Sequence, residues 1–142
     1  MTQTILTHSA EETIAFGRSL ARELSPPLVV LLQGDLGAGK TTLVKGIAEG
    51  FRAAEAQNVT SPTFTLVHEY RGPQVILYHI DLYRIDTERE LETLGLDDLL
   101  APDSILLVEW GEKFPRLLQD SNLQITLERV GESMRKIQRN PR

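Results

Sequence analysis

The sequence predicts a single α/β domain in which helices flank a mixed β-sheet. Three observations carry that reading: a continuous apolar run at residues 28–32 that ends in a glycine-rich turn, a proline-free stretch of helix formers directly after it, and further apolar runs downstream separated by an amphipathic segment. No repeat, low-complexity tract or linker divides the 142 residues, a length that suits one core, so residues 1–142 are read as one domain.

The elements follow in order. Ser9 with Glu12 three positions on forms a capping box, and Ile14, Leu20, Ala21 and Leu24 then recur at roughly helical spacing up to Pro26-Pro27, which predicts a helix over residues 10–24. The run Leu28-Val29-Val30-Leu31-Leu32 suits a strand buried on both faces, and a helix is expected over residues 40–51. Residues 63–70 and 75–80 read as an antiparallel hairpin turning at Arg71-Gly72-Pro73. Acids alternate with leucines over residues 89–100, as in a short amphipathic helix covering the sheet. Residues 105–109 make another buried strand, and 123–127 with 134–137 a second hairpin.

Composition excludes several function classes. A formal net charge of −5 argues against a protein that works by neutralising phosphates along a duplex, because such binders carry a basic face. The absence of cysteine removes disulfides, thiolate metal sites and cysteine nucleophiles together. No apolar run approaches the roughly 20 residues of a membrane span, and residues 1–10 lack a signal pattern, so a cytoplasmic protein without membrane contact is expected.

Chemistry concentrates at Gly34-Asp35-Leu36-Gly37-Ala38-Gly39-Lys40-Thr41, which meets the phosphate-loop pattern G-x-x-x-x-G-K-[ST] in the required context between a buried strand and a helix. The fold is therefore read as P-loop NTPase-like, with ATP and Mg²⁺ as ligands. Glycines let backbone N–H groups point at phosphate oxygens, the helix N-terminus adds partial positive charge, Lys40 bridges the terminal phosphates and the Thr41 hydroxyl holds Mg²⁺. Lys40 is expected to be exposed until phosphate arrives, with no partner in the protein. Hydrolysis also needs carboxylates at neighbouring strand ends, and Asp81 and Glu109 each close an apolar strand; either suits the metal-binding acid. Thr60, Ser61 and Thr63 stand where P-loop GTPases keep a γ-phosphate-sensing loop, though an ordinary proline turn would look the same. Trp110, directly after Glu109, either lies near the nucleotide or is a half-buried aromatic at the sheet end.

Four blocks in this order, Gly34 to Thr42, Ser61-Pro62-Thr63-Phe64-Thr65-Leu66-Val67, His79-Ile80-Asp81-Leu82-Tyr83-Arg84 and Val108-Glu109-Trp110, resemble the TsaE (YjeE) family. The resemblance implies a bacterial ATPase required for N6-threonylcarbamoyladenosine at position 37 of tRNA, acting with TsaB and TsaD and meeting tRNA only through that complex. It assigns Leu36, Gly37, Ala38, Gly39, Lys40, Thr41 and Thr42 to the phosphates, and Thr41, Asp81 and Glu109 to Mg²⁺, with Lys40, Asp81 and Glu109 as the catalytic groups. Thr13 looks like the residue beside adenine. The family's C-terminal Gly-Arg pair is Gly131-Glu132 here, leaving Arg135 as the candidate contact.

Two other classes compete. A small-molecule kinase usually carries an arginine-rich lid, whereas residues 84–104 hold only Arg84 and Arg89 among many acids. A nucleotide-dependent interaction module overlaps with the family reading. The Asn58 to Thr65 loop contains no lysine or arginine to neutralise the γ-phosphate, so slow turnover in isolation and stimulation by partners are expected.

Overall fold

The structure, a computed structural model, describes residues 2–141. Strands β1 (Gln3–Thr7), β2 (Leu28–Gln33), β3 (Val67–Arg71), β4 (Ile76–Asp81), β5 (Ser104–Glu109), β6 (Leu123–Arg129) and β7 (Arg135–Pro141) form one sheet in the order β1-β7-β6-β2-β5-β4-β3. The four central strands β6, β2, β5 and β4 run parallel, and antiparallel pairs finish both edges, so the expected mixed sheet is present. The helices are α1 (Ala10–Ala21), α2 (Lys40–Gly50), α3 (Glu88–Leu94), α4 (Leu96–Leu99) and α5 (Pro115–Asp120).

β2 and β5 read as unbroken apolar runs because both of their faces are covered. Val30 and Leu32 of β2 pack with Leu43, Val44 and Ile47 of α2 and Leu20 of α1. Val29 and Leu31 point the other way, into a core with Leu91 of α3, Leu96 of α4 and Phe114. This two-sided burial makes the sheet the middle layer of three.

The Ser9 cap of α1 forms as expected, with Ser9 Oγ accepting from the Glu12 N–H at 3.1 Å; the Glu12 carboxylate reaches one residue beyond the cap, to the His8 N–H at 2.8 Å. α1 then lies against α2 at a crossing of small residues. A Cβ added at Gly46 would stand 2.1 Å from the Ile14 carbonyl oxygen, and one at Gly17 would stand 2.7 Å from that of Leu43. Neither backbone can yield without separating the helices. Gly46→Ala is therefore expected to destabilise the fold by about 3 kcal/mol, seen as a fall in Tm of roughly 10 °C. A Tm equal to that of the unsubstituted chain would contradict this contact.

Three of the expected elements differ from the sequence reading, and two further elements were not expected. α1 stops at Ala21, short of Leu24. The strand expected from residue 63 begins only at Val67, because the Leu66 N–H turns back to the Pro62 carbonyl at 2.7 Å and Leu66 takes φ +70°. The helix expected over residues 89–100 is divided at Gly95, whose left-handed φ of +66° ends α3 and starts α4. β1 and α5 had no sequence signal strong enough to name them. β1 is an edge strand whose only partner is β7 and whose residues are mostly exposed, so it carries no clean alternation; α5 is one short turn-and-a-half opened by Pro115. Both hairpins, β3–β4 and β6–β7, form where expected.

Candidate functional site

Parallel register places the chemistry. Leu32 of β2 lies opposite Glu109 of β5, and Glu109 lies opposite Asp81 of β4, so the three occupy one line at the carboxyl ends of adjacent strands. Residues paired in this way share a face, and Leu32 belongs to the core under α2. Both acids therefore meet the N-terminus of α2, at the sheet end where open α/β proteins bind ligands. They line a cleft of about 340 Å³ with Leu36, Gly39, Thr41, Ser61 and Thr63.

The loop between β2 and α2 is bent by glycines at φ +81° for Gly37 and +103° for Gly39, values that side-chain-bearing residues rarely adopt. A Cβ at Gly37 would meet nothing within 4 Å, so the loop there is open. Gly39 caps α2 without a side chain, leaving the first-turn N–H groups of the helix to an outside acceptor. Such an end, with its positive dipole, suits an anion.

Lys40 departs from expectation. Its residue is only 5% exposed, its Nζ donates to the Gly34 carbonyl at 2.6 Å, and it stands 3.9 Å from the centroid of the Trp110 ring. Burial pulls its pKa below the ordinary lysine range, while the carboxylates of Glu109, Glu112, Asp81 and Asp35 oppose that shift. The ammonium is therefore held by a carbonyl, a π-face and surrounding acids, not displayed to solvent. Trp110 is both half-buried and at the cleft, so its two readings merge. Its φ of +63° is unusual for a bulky residue, and its ring lies 5.2 Å from that of Tyr83.

Glu109 is buried and accepts from His79 Nε2, and the same oxygen, Oε2, lies 3.5 Å from Thr41 Oγ1. That second contact is too long to be strong. Asp81 is anchored differently: Oδ1 accepts the Tyr83 N–H at 2.9 Å, while Oδ2 accepts from Ser61 at 3.3 Å and Thr63 at 3.4 Å. Asp81 thus ties the Ser61–Thr63 turn to the end of β4. Among the described residues, no group of three or more His, Asp or Glu side chains gathers closely enough to hold a metal alone. Mg²⁺ normally keeps waters and phosphate oxygens and takes one or two carboxylates, so Thr41, Glu109 and Asp81 could hold it together with a bound polyphosphate.

The structure brings most of the expected residues together. Leu36, Gly37, Gly39, Lys40, Thr41, Thr42, Asp81, Glu109, Trp110 and Arg135 all border the cleft. Ala38 is buried in the core instead. Thr60 also lies away from it, its N–H directed to the Tyr70 hydroxyl at 3.4 Å. Thr13 sits within α1 with its hydroxyl paired to that of Thr7 at 2.7 Å, and it lines a smaller cleft of about 170 Å³ with Ser9, Gly39, Thr42 and Arg135. Arg135, against Gly39, borders both clefts. His79 and Tyr83 fall within the third of the family-like blocks but were given no role from the sequence. The available signal for His79 was a lone histidine in the apolar run of β4, two residues before Asp81.

A glycine loop joining a central parallel strand to a helix, with acids at the ends of the next two strands, defines a P-loop-type α/β protein. Comparison with known proteins narrows this class. The family model described as "Threonylcarbamoyl adenosine biosynthesis protein TsaE" matches residues 7–137. The tRNA threonylcarbamoyladenosine biosynthesis protein TsaE of Bacillus subtilis is 43% identical over 131 residues, covering 92% of this chain and 80% of that protein. The Treponema pallidum protein of the same name is 36% identical, covering 93% of this chain and 96% of its own. The crystal structure of Bacillus subtilis YdiB superposes with a TM-score of 0.79 at 35% identity, over 99% of this chain and 86% of that one. The chain belongs to the TsaE family of tRNA threonylcarbamoyladenosine biosynthesis proteins.

Proposed function

We propose that this protein binds ATP with Mg²⁺ in the cleft, hydrolyses it slowly by itself, and serves N6-threonylcarbamoyladenosine formation on tRNA together with TsaB and TsaD. The observation that carries the nucleotide reading is the convergence of Lys40, Thr41, Asp81 and Glu109 on one open glycine loop at the α2 N-terminus. Mg²⁺, when bound, supplies charge neutralisation and fixes the terminal phosphates. The residues do the remaining work. The α2 N-terminus and Lys40 would bind the phosphates, Thr41 with Glu109 or Asp81 would hold the metal, and a strand-end carboxylate would accept a proton from the water whose oxygen bonds to the γ-phosphorus as the bridging P–O bond breaks and ADP leaves. Ser61 and Thr63, already tied to Asp81, are placed to follow the presence of that group.

The partnership with TsaB and TsaD rests on the family resemblance, and contact with tRNA is assigned to the complex because the chain is acidic. Among the described residues no helix is long and apolar enough to cross a membrane; the cytoplasmic location is part of the proposal and rests on the kinship with tRNA modification proteins. Residues 58–65 carry no basic side chain, Arg135 borders the cleft on the Gly39 side, and Arg84 lies over the Phe64 ring at 4.5 Å. An arginine supplied from outside can raise turnover by roughly 10³ to 10⁵.

Steady-state phosphate release tests this reading in three arms: the chain alone, with TsaB–TsaD, and with an unrelated acidic protein. A low basal rate rising at least several-fold with TsaB–TsaD only is expected. A basal rate near ~10 s⁻¹, or no response to the complex, would reject the partner-gated ATPase.

A further inference from the structure

β4 is apolar except at one buried position before its terminal acid. His79 has no exposed surface, and its neighbours Leu77 and Ile80 belong to the cores on opposite faces of the sheet. Its Nε2 donates to Glu109 Oε2, while Nδ1 has no hydrogen-bond partner among the described residues. Leaving a buried ring nitrogen unpaired is unfavourable, and an aliphatic side chain would avoid it. The ring's one polar contact is Glu109, its diagonal neighbour on the same sheet face, since His79 lies opposite Leu107 and Asp81 opposite Glu109.

We propose that His79 is a positioning residue: through Nε2–H it fixes the Glu109 carboxylate at the end of β5, holding Oε2 beside Thr41 and leaving Oε1 for the cation or water of the nucleotide site. The inference rests on the nucleotide reading of the cleft. Oε1 takes no hydrogen bond from the described residues, whereas Oε2 is engaged by both His79 and Thr41. Division of labour between the two oxygens follows. A glutamate at a strand end has several rotamers, and a buried donor on one oxygen selects among them without covering the other. Asp81, by contrast, is fixed from its own loop and needs no such partner.

The test uses the full chain and the variants His79→Leu, which removes the donor, and His79→Gln, whose amide nitrogen reaches about as far as Nε2. Three readouts are taken: Mn²⁺ affinity of the ADP complex by electron paramagnetic resonance, kcat and KM for ATP hydrolysis, and nitrogen NMR of the ligand-free ring. His79→Leu is expected to lose roughly 10- to 100-fold in Mn²⁺ affinity and kcat, with metal-free ADP affinity within about two-fold of wild type, and His79→Gln to recover most of the loss. In a Glu109→Ala background the His79→Leu change is expected to add almost nothing, since no acceptor is left for the ring to hold. The NMR spectrum is expected to place the ring proton on Nε2.

A proton on Nδ1, a His79→Leu chain indistinguishable from wild type, or equal losses in both Glu109 backgrounds would overturn the role. Should His79→Leu fail to fold, His79→Asn keeps a polar side chain too short to reach Glu109 and must show the same loss. If the wild type bound no ATP with Mg²⁺, the nucleotide reading would fall and this role with it. Normal wild-type binding beside an unaffected His79→Leu would remove the role alone.

Discussion

Lys40→Ala is expected to weaken ATP binding by roughly 10²-fold, the equivalent of about 3 kcal/mol for charge-assisted contacts to phosphate, while the fold survives. The second half of that expectation comes from the lysine's surroundings. Lys40 is buried against Trp110 and the Gly34 carbonyl, and burial lowers its pKa. A lysine whose folded pKa lies below its unfolded one opposes folding wherever it is still charged, so at neutral pH its removal relieves a cost. Against that stand a small cavity and the loss of the loop's tether to Gly34. The net effect on Tm is expected within a few degrees, in either direction, and calorimetric titration with ATP checks the binding term. Wild-type affinity would show that the phosphates are held elsewhere.

Asp81→Ala and Glu109→Ala are each expected to lower Mg²⁺-dependent hydrolysis by roughly 10²-fold or more, the usual worth of a positioned acid–base group, with nucleotide affinity far less affected. Their environments predict different secondary effects. Among the described residues the Glu109 carboxylate is hydrogen-bonded to Thr41 and His79 and lies near the Lys40 ammonium, so its loss acts mainly on kcat and metal affinity. Asp81 also holds Ser61, Thr63 and the Tyr83 N–H, so its loss releases the turn at the cleft mouth and raises KM as well. Single-turnover and steady-state kinetics separate the two. Full activity in both variants would place the catalytic acids elsewhere in the chain.

The agreement between sequence and structure is greatest where a local pattern suffices. The apolar runs of β2 and β5, the glycine loop between β2 and α2, the Ser9 cap, both hairpins and the strand-end positions of Asp81 and Glu109 are each encoded within a short window, where period and turn chemistry act. Errors fall where a backbone break overrides the apolar pattern, or where the deciding partner lies outside the window. The strand expected from residue 63 starts late because the Leu66 N–H closes a turn back onto Pro62, Gly95 divided a helix that its leucines alone would have continued, and β1 exists because β7 is available to pair with it.

By itself, then, the sequence determined a P-loop-type α/β chain, its glycine loop and the two acids that face it. Tertiary structure decided that Lys40 is buried under Trp110, that Arg135 closes over Gly39, and that His79 and not solvent holds Glu109. The physical reason lies in range. Backbone periodicity and turn preference act over a few residues, but the partners of a buried charge are set by strand register and helix docking, which join segments far apart in the chain and exist only once the sheet has formed.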